Sequence, residues 1–205
     1  MTASGGGTID FWFTPGSTYT YLTVMRLGDV ARTNNVRFTW RPFDLRTILL
    51  ERSLGRPFVG KPVKLAYMWR DIERRAPMYG LNPVLPAPYP LQEWEIAHLV
   101  ATLAAAEGWI EPYTRASYRR WFEHGQQAGM EPNLSDSLQE AGQNPERVIA
   151  AARAAETEAA AGIATEQAMA LGIFGSPNFV VDGELFWGDD RLDDALRWRA
   201  RGTLT

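Results

Sequence analysis

A serine follows an apolar run near the beginning of the chain. Residues 9–13 are mostly apolar or aromatic, Thr14-Pro15-Gly16 interrupts them, and Ser17 opens a segment with helical periodicity. The first turn of a helix has free N–H groups and the positive end of the helix dipole, so it stabilises an anion. A hydroxyl there can donate a hydrogen bond to a thiolate and lower the pKa of the thiol. The alternative is that Ser17 only caps the helix.

The 205 residues include no cysteine. Disulfides, zinc-thiolate sites and cysteine nucleophiles are therefore excluded, and any thiol chemistry must use a thiol that the protein binds. The two histidines, His98 and His124, are too few and too scattered for a metal site, so we expect no metal.

A second candidate segment precedes a predicted strand near the C-terminus. Pro177 directly before this strand is a candidate for a cis peptide bond with Ser176. In such a loop the N–H and C=O of Ser176 would turn outward, and an extended peptide-like ligand could pair with them as an added strand. The alternative is an ordinary proline at the beginning of a strand.

A third candidate segment, Trp187-Gly188-Asp189-Asp190, begins the last predicted helix. Backbone donors at a helix start suit a carboxylate. Asp190 is a candidate acceptor for an α-amino group, so together they suit the zwitterionic end of an amino acid. The alternative is that the aspartates only cap a surface helix, where acidic side chains oppose the positive end of the dipole.

Two predicted strands flank the first helix, and two more precede the last. Residues 36–41 alternate, which makes the N-terminal part a β-α-β unit with parallel strands and a right-handed crossover. Asp182-Gly183 marks a hairpin between strands predicted at 178–182 and 184–187.

Helical periodicity dominates between these two parts, from about residue 61 to 171. Gly80 and Gly108 stop two helices, and Asn144-Pro145 opens another with proline in its first turn. Helices are also predicted over 94–107 and 113–124, and the alanine-rich segment 150–170 has strong helix propensity.

This order of elements predicts an α/β fold: a thioredoxin-like core with a large all-helical insertion. The core comprises residues 1–60 and 161–205, and the inserted domain comprises residues 61–160. Such a core brings the three candidate segments to one edge of the sheet, and Ser17 takes the position of the redox cysteine in thioredoxin-like proteins.

Composition narrows the classes of partner. The formal net charge is −3 and no basic footprint is visible, so nucleic-acid binding is not expected. No run of 18 apolar residues is present, and residues 1–7 lack the apolar centre of a secretory signal. We therefore expect a cytoplasmic protein without a membrane span.

Several stretches resemble the 2-hydroxychromene-2-carboxylate isomerases and kappa-class glutathione transferases, a family with a thioredoxin-like, DsbA-like fold. The stretches are residues 9–22, Trp40-Arg41-Pro42-Phe43, Lys64 with 67–71, and the most specific one, GIFGSPNFVVDGELFWGDDRL, at 172–192. The resemblance covers nearly the whole chain, including the position of the helical insert.

The resemblance implies glutathione as cofactor and a homodimer as the default assembly. It implies that Ser17 is the catalytic serine facing the glutathione sulfur and that the ligand contacts further residues, namely Thr18, Tyr19, Ser176 beside Pro177, and Asp189 with Asp190 at the γ-glutamyl end. The implied activity is glutathione-dependent cis–trans isomerisation of a 2-hydroxychromene-2-carboxylate in aromatic catabolism, by thiolate addition and elimination.

The aromatic small-molecule substrate is expected to contact the inserted part and the first strand. Lys64 is a candidate for its carboxylate, and Trp12 and Tyr67 are candidates for its ring. The alternatives are an exposed helix lysine and aromatic residues of the core. A kappa-type transferase or peroxidase and a non-enzymatic thioredoxin-fold binding module remain alternative functions.

The chain departs from the family in several places, and one is the triplet Thr14-Pro15-Gly16 before the serine, where the family more usually has an acidic, an aromatic and a small residue. Thr18 stands where the family usually has proline, Ser176 stands where it often has valine or leucine, and Gly55 replaces an active-site asparagine ahead of Arg56-Pro57. The change at Gly55 bears on the substrate more than on glutathione binding.

Overall fold

The computed structural model of the protein describes residues 7–205. Residues 1–6 lie outside the described residues. The prediction about a secretory signal concerns residues 1–7 and so falls almost entirely on them. The strands are β1 (Thr8–Phe13), β2 (Arg37–Pro42), β3 (Asn178–Val181) and β4 (Glu184–Trp187). The helices are α1 (Thr20–Asn34), α2 (Leu45–Glu51), α3 (Pro62–Arg75), α4 (Trp94–Glu107), α5 (Ile110–His124), α6 (Asn133–Glu140), α7 (Pro145–Ala152), α8 (Ala155–Ala170) and α9 (Leu192–Arg201).

The four strands form one mixed sheet in the order β2-β1-β3-β4. β1 and β2 are parallel, whereas β1 pairs with β3 and β3 pairs with β4 in antiparallel fashion. The β3–β4 hairpin turns at Asp182 and Gly183, which both have positive φ angles of 51° and 88°. Aspartate and glycine favour such turns, and the predicted hairpin is confirmed. The order and directions of the four strands agree with the predicted thioredoxin-like core.

Local signals place most helix ends where the sequence predicts them. α4 ends at Gly108, which adopts a left-handed conformation with φ 84° and donates its N–H to the Ala104 carbonyl. α7 begins after Asn144, whose side chain accepts a hydrogen bond of 2.8 Å from the Arg147 N–H. Asp44 caps α2 in the same way through Arg46.

The alanine-rich segment 150–170 is divided between α7 and α8. Ala154 is extended, with ψ 148°, and the Thr157 hydroxyl donates to the Ala151 carbonyl across the break. Alanine favours helix at every position and so holds no signal for where two helices part. The short helices α2 and α6 were not predicted.

Apolar clusters cover both faces of the sheet. Ile9, Phe11 and Phe13 of β1 belong to a large cluster that includes side chains of α1, α4 and α5. Trp12 points to the other face, where a smaller cluster contains Phe43 and residues of α2 and α8. The inserted helices therefore share a core with the sheet. The division into two domains stays a prediction, and α8 runs across its boundary at residue 160.

Between residues 7 and 205, none of the helices combines the length and apolar character that crossing a membrane requires.

Candidate functional site

A cavity of about 460 Å³ opens where β1 gives way to the turn before α1. This volume lies in the range of small-molecule sites. Its walls come from five parts of the chain: residues 14–19, α2 with the loop that follows it, the beginning of α3, the loop 89–91 with Trp94, and residues 174–176 with Trp187.

Ser17 and Ser176 meet in the wall of this cavity. The Ser17 hydroxyl donates a hydrogen bond of 3.0 Å to the Ser176 carbonyl, and the Ser176 hydroxyl accepts one of 3.0 Å from the Thr14 N–H. The Ser176 hydroxyl is also 3.0 Å from the Thr20 hydroxyl. The first two candidate segments are thus brought together although 159 residues separate the two serines.

The interpretation of Ser17 as the helix cap is wrong. α1 begins at Thr20, and its N-cap is Tyr19, which makes no side-chain cap. The Ser17 N–H closes a turn onto the Thr14 carbonyl. Within residues 7–205, the N–H groups of Thr18, Tyr19 and Ser176 have no protein acceptor. These donors are available to a ligand anion or a peptide carbonyl.

Thr18 and Tyr19 line the cavity in different ways. Thr18 lines the cavity but is only 2% exposed as a whole residue, and its hydroxyl donates to the Met68 sulfur at 2.9 Å. The Tyr19 hydroxyl donates to Asp71 Oδ2 at 3.1 Å. Burial, and then the charge of Asp71, raise the pKa of Tyr19 far above its ordinary value, so the phenol stays protonated.

The Asp189 carboxylate is occupied by protein donors, and the predicted ligand contact of this residue stays a prediction. Its side chain is 2% exposed, and it does not line the cavity. Protein donors use both carboxylate oxygens: Thr23 and Arg26 bind Oδ1 at 2.9 Å each, and Arg75 and Tyr79 bind Oδ2 at 3.0 and 3.3 Å. Asp189 therefore joins α1 and the end of α3 to the beginning of α9.

Neither Asp190 nor Pro177 is part of the cavity lining, although each lies within three residues of a lining residue in the sequence. The Asp190 side chain is 53% exposed and lies 3.7 Å from the Arg191 guanidinium. The Ser176–Pro177 peptide bond is cis, as the sequence predicted. The Pro177 ring is buried, and its carbonyl accepts a hydrogen bond of 2.9 Å from the Gly188 N–H.

The three predicted substrate contacts have different positions. Lys64 and Tyr67 are exposed and line the cavity, with the Lys64 ammonium 5.6 Å from the Phe58 ring centre. Trp12 is 3% exposed and packs against Phe43 in the smaller core cluster. The prediction that Trp12 contacts the substrate is wrong, and its alternative, a core residue, is right.

The positive charge of the cavity is the feature that sequence reasoning missed, apart from Lys64. Four cationic side chains line it, namely Arg46, Arg56, Lys61 and Lys64, and no aspartate or glutamate does. None of the four forms an ion pair with a described residue. No local sequence signal distinguished Arg46, Arg56 or Lys61, because each alone has the pattern of an ordinary surface cation.

Aromatic side chains form much of the remaining wall. They are Tyr19, Phe58, Tyr67, Tyr89, Trp94, Phe174 and Trp187. A positive, aromatic cavity favours a flat anionic ligand. Across residues 7–205, no three His, Asp or Glu side chains are grouped closely enough to hold a metal ion.

Comparisons with known proteins agree with the fold and with the resemblance seen in the motifs. Two curated relatives are both named 2-hydroxychromene-2-carboxylate isomerase. The relative from Sphingobium xenophagum is 29% identical over 187 residues, which cover 91% of this chain and 94% of the relative. The relative from Pseudomonas putida is 27% identical over 193 residues, which cover 90% of each. The predicted likeness to these isomerases is confirmed.

Solved structures show the same architecture. A 2-hydroxychromene-2-carboxylate isomerase superposes with a TM-score of 0.84 at 22% identity, covering 95% of each chain. A probable DsbA oxidoreductase from Streptomyces coelicolor superposes with a TM-score of 0.72 at 19% identity, covering 97% of this chain and 91% of its own. The family model of the DsbA-like thioredoxin domain matches residues 8–197. This chain therefore belongs to the DsbA-like thioredoxin domain family.

Proposed function

We propose that this chain is a glutathione-dependent isomerase of 2-hydroxychromene-2-carboxylate or a closely related aromatic carboxylate. The observation that carries the proposal is the cavity itself, in which unpaired cations and aromatic rings adjoin the Ser17–Ser176 contact. The names of the two curated relatives support the same reaction. A thioredoxin-type dithiol reaction is excluded because the chain has no cysteine.

The residues present fit glutathione, an anionic tripeptide. The free N–H groups of Thr18 and Tyr19, with the Ser17 hydroxyl, suit a thiolate, and the free Ser176 N–H suits a peptide carbonyl. Lys64 suits a carboxylate of the tripeptide. Asp190, whose side chain is 53% exposed, remains a proposed partner for the α-amino group. A fold relative, the cytosolic disulfide reductase DsbM from Pseudomonas aeruginosa, has been solved with GSH.

When bound, glutathione supplies a thiolate nucleophile, the chemistry that cis–trans isomerisation of an enone by reversible addition requires. The protein's part is to hold that sulfur as an anion and to hold the substrate ring flat against it. In this structure the Ser17 hydroxyl donates to the Ser176 carbonyl. The hydroxyl must therefore rotate to donate to a bound sulfur. The aromatic wall excludes water and orients the ring.

Turnover with and without glutathione tests the proposal. We expect the purified protein to isomerise 2-hydroxychromene-2-carboxylate only when glutathione is present. Conjugation of a chlorinated aromatic electrophile or reduction of a peroxide, without isomerisation, would instead identify a kappa-type transferase. If calorimetry detects no glutathione binding at millimolar concentration, both enzyme functions fail and a binding module remains.

Ser17→Ala tests the role of the hydroxyl. A hydrogen bond to a charged group contributes about 1.5 to 3 kcal/mol, so its loss should raise the pKa of the bound thiol by about 1 to 2. We expect kcat/KM at neutral pH to fall at least about tenfold, because less thiolate is present. Ultraviolet titration of the thiolate in the complex measures the pKa.

Ser17→Thr is the matched control, because it retains a hydroxyl at the same position. Its thiol pKa should stay near that of the original protein. An unchanged pKa in Ser17→Ala would show that the backbone donors alone stabilise the sulfur.

A further inference from the structure

We propose that Arg46 and Arg56 form a carboxylate-binding subsite for the aromatic substrate and thereby determine the specificity of the cavity. The inference rests on the proposed function and extends it, because it locates the substrate's charge on two residues outside the three candidate segments.

Arg46 is held in place by contacts that leave most of its donors unused. Its Nη2 donates to the Leu91 carbonyl at 2.8 Å, and its guanidinium carbon lies 4.6 Å from the Trp94 ring centre. A guanidinium has five N–H donors, and the others have no acceptor among residues 7–205. The planar group is thus oriented by the protein but unsatisfied, as a bidentate carboxylate site requires.

The electrostatic surroundings of Arg46 favour an anion. Arg56 lines the same cavity as Arg46, and burial and then the charge of Arg56 lower the pKa of Arg46. The charge of Asp44 opposes this lowering of the pKa in part, but Asp44 does not line the cavity: its Oδ1 accepts from the Arg46 backbone N–H and its Oδ2 accepts from the Thr47 hydroxyl. Two neighbouring guanidinium groups without a carboxylate in the same cavity repel each other, and a bound carboxylate relieves that repulsion.

The subsite is connected to the proposed reaction centre. Leu91, whose carbonyl anchors Arg46, also lies next to the turn that holds Ser17. Both Leu91 and Gly16 line the cavity, and a Cβ on Gly16 would lie 3.7 Å from Leu91 Cδ1. Lys64, at the beginning of α3, is exposed and lies over the Phe58 ring, and Arg56 is exposed as well, whereas Arg46 is half-buried and held in place. This arrangement assigns the substrate carboxylate to the two arginines and leaves Lys64 for the tripeptide.

Binding of an unreactive analogue, without glutathione, tests the subsite. Chromone-2-carboxylate is the charged probe, and chromone-2-carboxamide is its neutral counterpart. Quenching of tryptophan fluorescence or calorimetry gives both affinities. We expect the original protein to bind the carboxylate at least about tenfold more tightly than the amide, with a preference that weakens as salt increases.

Single substitutions then assign the preference to residues. Arg46→Met and Arg56→Met should each weaken carboxylate binding about tenfold while changing amide binding by less than about threefold. Arg46→Lys should restore part of the affinity, since it keeps the charge but not the planar fork. Arg115→Met, which removes an exposed cation of α5 outside the cavity, should bind both probes like the original protein.

Two outcomes would overturn the inference. One is unchanged carboxylate binding in both methionine variants. The other is equal loss of carboxylate and amide binding in Arg46→Met with no loss in Arg56→Met, which would show that Arg46 only supports the Leu91 loop. Failure of the proposed function is distinguishable: the carboxylate preference would then be present in a protein that does not isomerise the substrate with glutathione.

Discussion

Asp189→Ala is expected to lower the free energy of unfolding by about 3 to 5 kcal/mol, the range seen when one partner of a buried ion pair is removed. The Asp189 carboxylate is enclosed and bound by Arg26 at 2.9 Å and by Arg75 at 3.0 Å. Their side chains are 13% and 24% exposed, so the substitution leaves two largely buried cations without their counter-charge. Chemical denaturation followed by circular dichroism measures the change.

The neighbouring residue provides the control. Asp190→Ala removes an identical side chain that is half exposed, and we expect a change within about 0.5 kcal/mol. If the two variants were equally stable, the contacts of Asp189 would have no part in joining α1, α3 and α9. The pair also separates the two predicted ligand roles, because only Asp190 has an accessible carboxylate for an α-amino group.

A second large effect is expected from His98 as the pH falls. His98 is 5% exposed, and neither ring nitrogen has a hydrogen-bond partner among the described residues. Burial lowers the pKa of His98 from 6.5 to about 4, and the charge of Asp44 opposes this only in part. The folded protein therefore keeps the ring neutral, whereas the unfolded chain takes up a proton below pH 6.5.

The sign of the effect follows from that difference in bound protons. Above pH 6.5 both states hold a neutral ring, and the contribution of His98 to stability is fully present. As the pH decreases towards 4, protonation favours the unfolded chain, and the loss reaches about 3 kcal/mol at about 1.4 kcal/mol for each pH unit.

The chain's other histidine is a matched control. His98→Leu removes the titrating ring, so its stability relative to the original protein should rise steadily between pH 6.5 and 4. His124 is exposed, and His124→Gln should follow the original protein throughout. Denaturant midpoints over this pH range provide the comparison. Parallel curves for the original protein and His98→Leu would show that His98 does not titrate differently in the folded and unfolded states.

The order of elements could be predicted from the sequence because its signals are local. Alternation of apolar and polar residues predicts a strand. Gly108, in a left-handed conformation, ends α4, and Asn144 with Pro145 begins α7, so each signal acts on its immediate neighbours in the chain. The β-α-β unit and the hairpin then leave few ways to assemble the sheet. The same order placed Ser17 near Ser176, and the missing cysteine excluded a resident thiol nucleophile.

Only the tertiary structure distinguished residues whose local sequence signals are alike. Asp189 and Asp190 are adjacent and chemically identical, but Asp189 meets Arg26 and Arg75, which are 163 and 114 residues away. Trp12 and Trp94 are both aromatic, but Trp12 faces the core and Trp94 faces the cavity. Burial and partner choice depend on such distant contacts, which spacing along the chain does not encode.

The charge of the cavity was decided in the same way. Arg46, Arg56 and Lys64 lie on α2, on the loop after it and on α3, and each alone has the sequence pattern of an ordinary surface cation. Folding places them around one cavity that no acidic side chain lines. The sequence by itself thus determined the architecture and the lack of a cysteine thiol, whereas packing across the chain determined which side chains line the cavity.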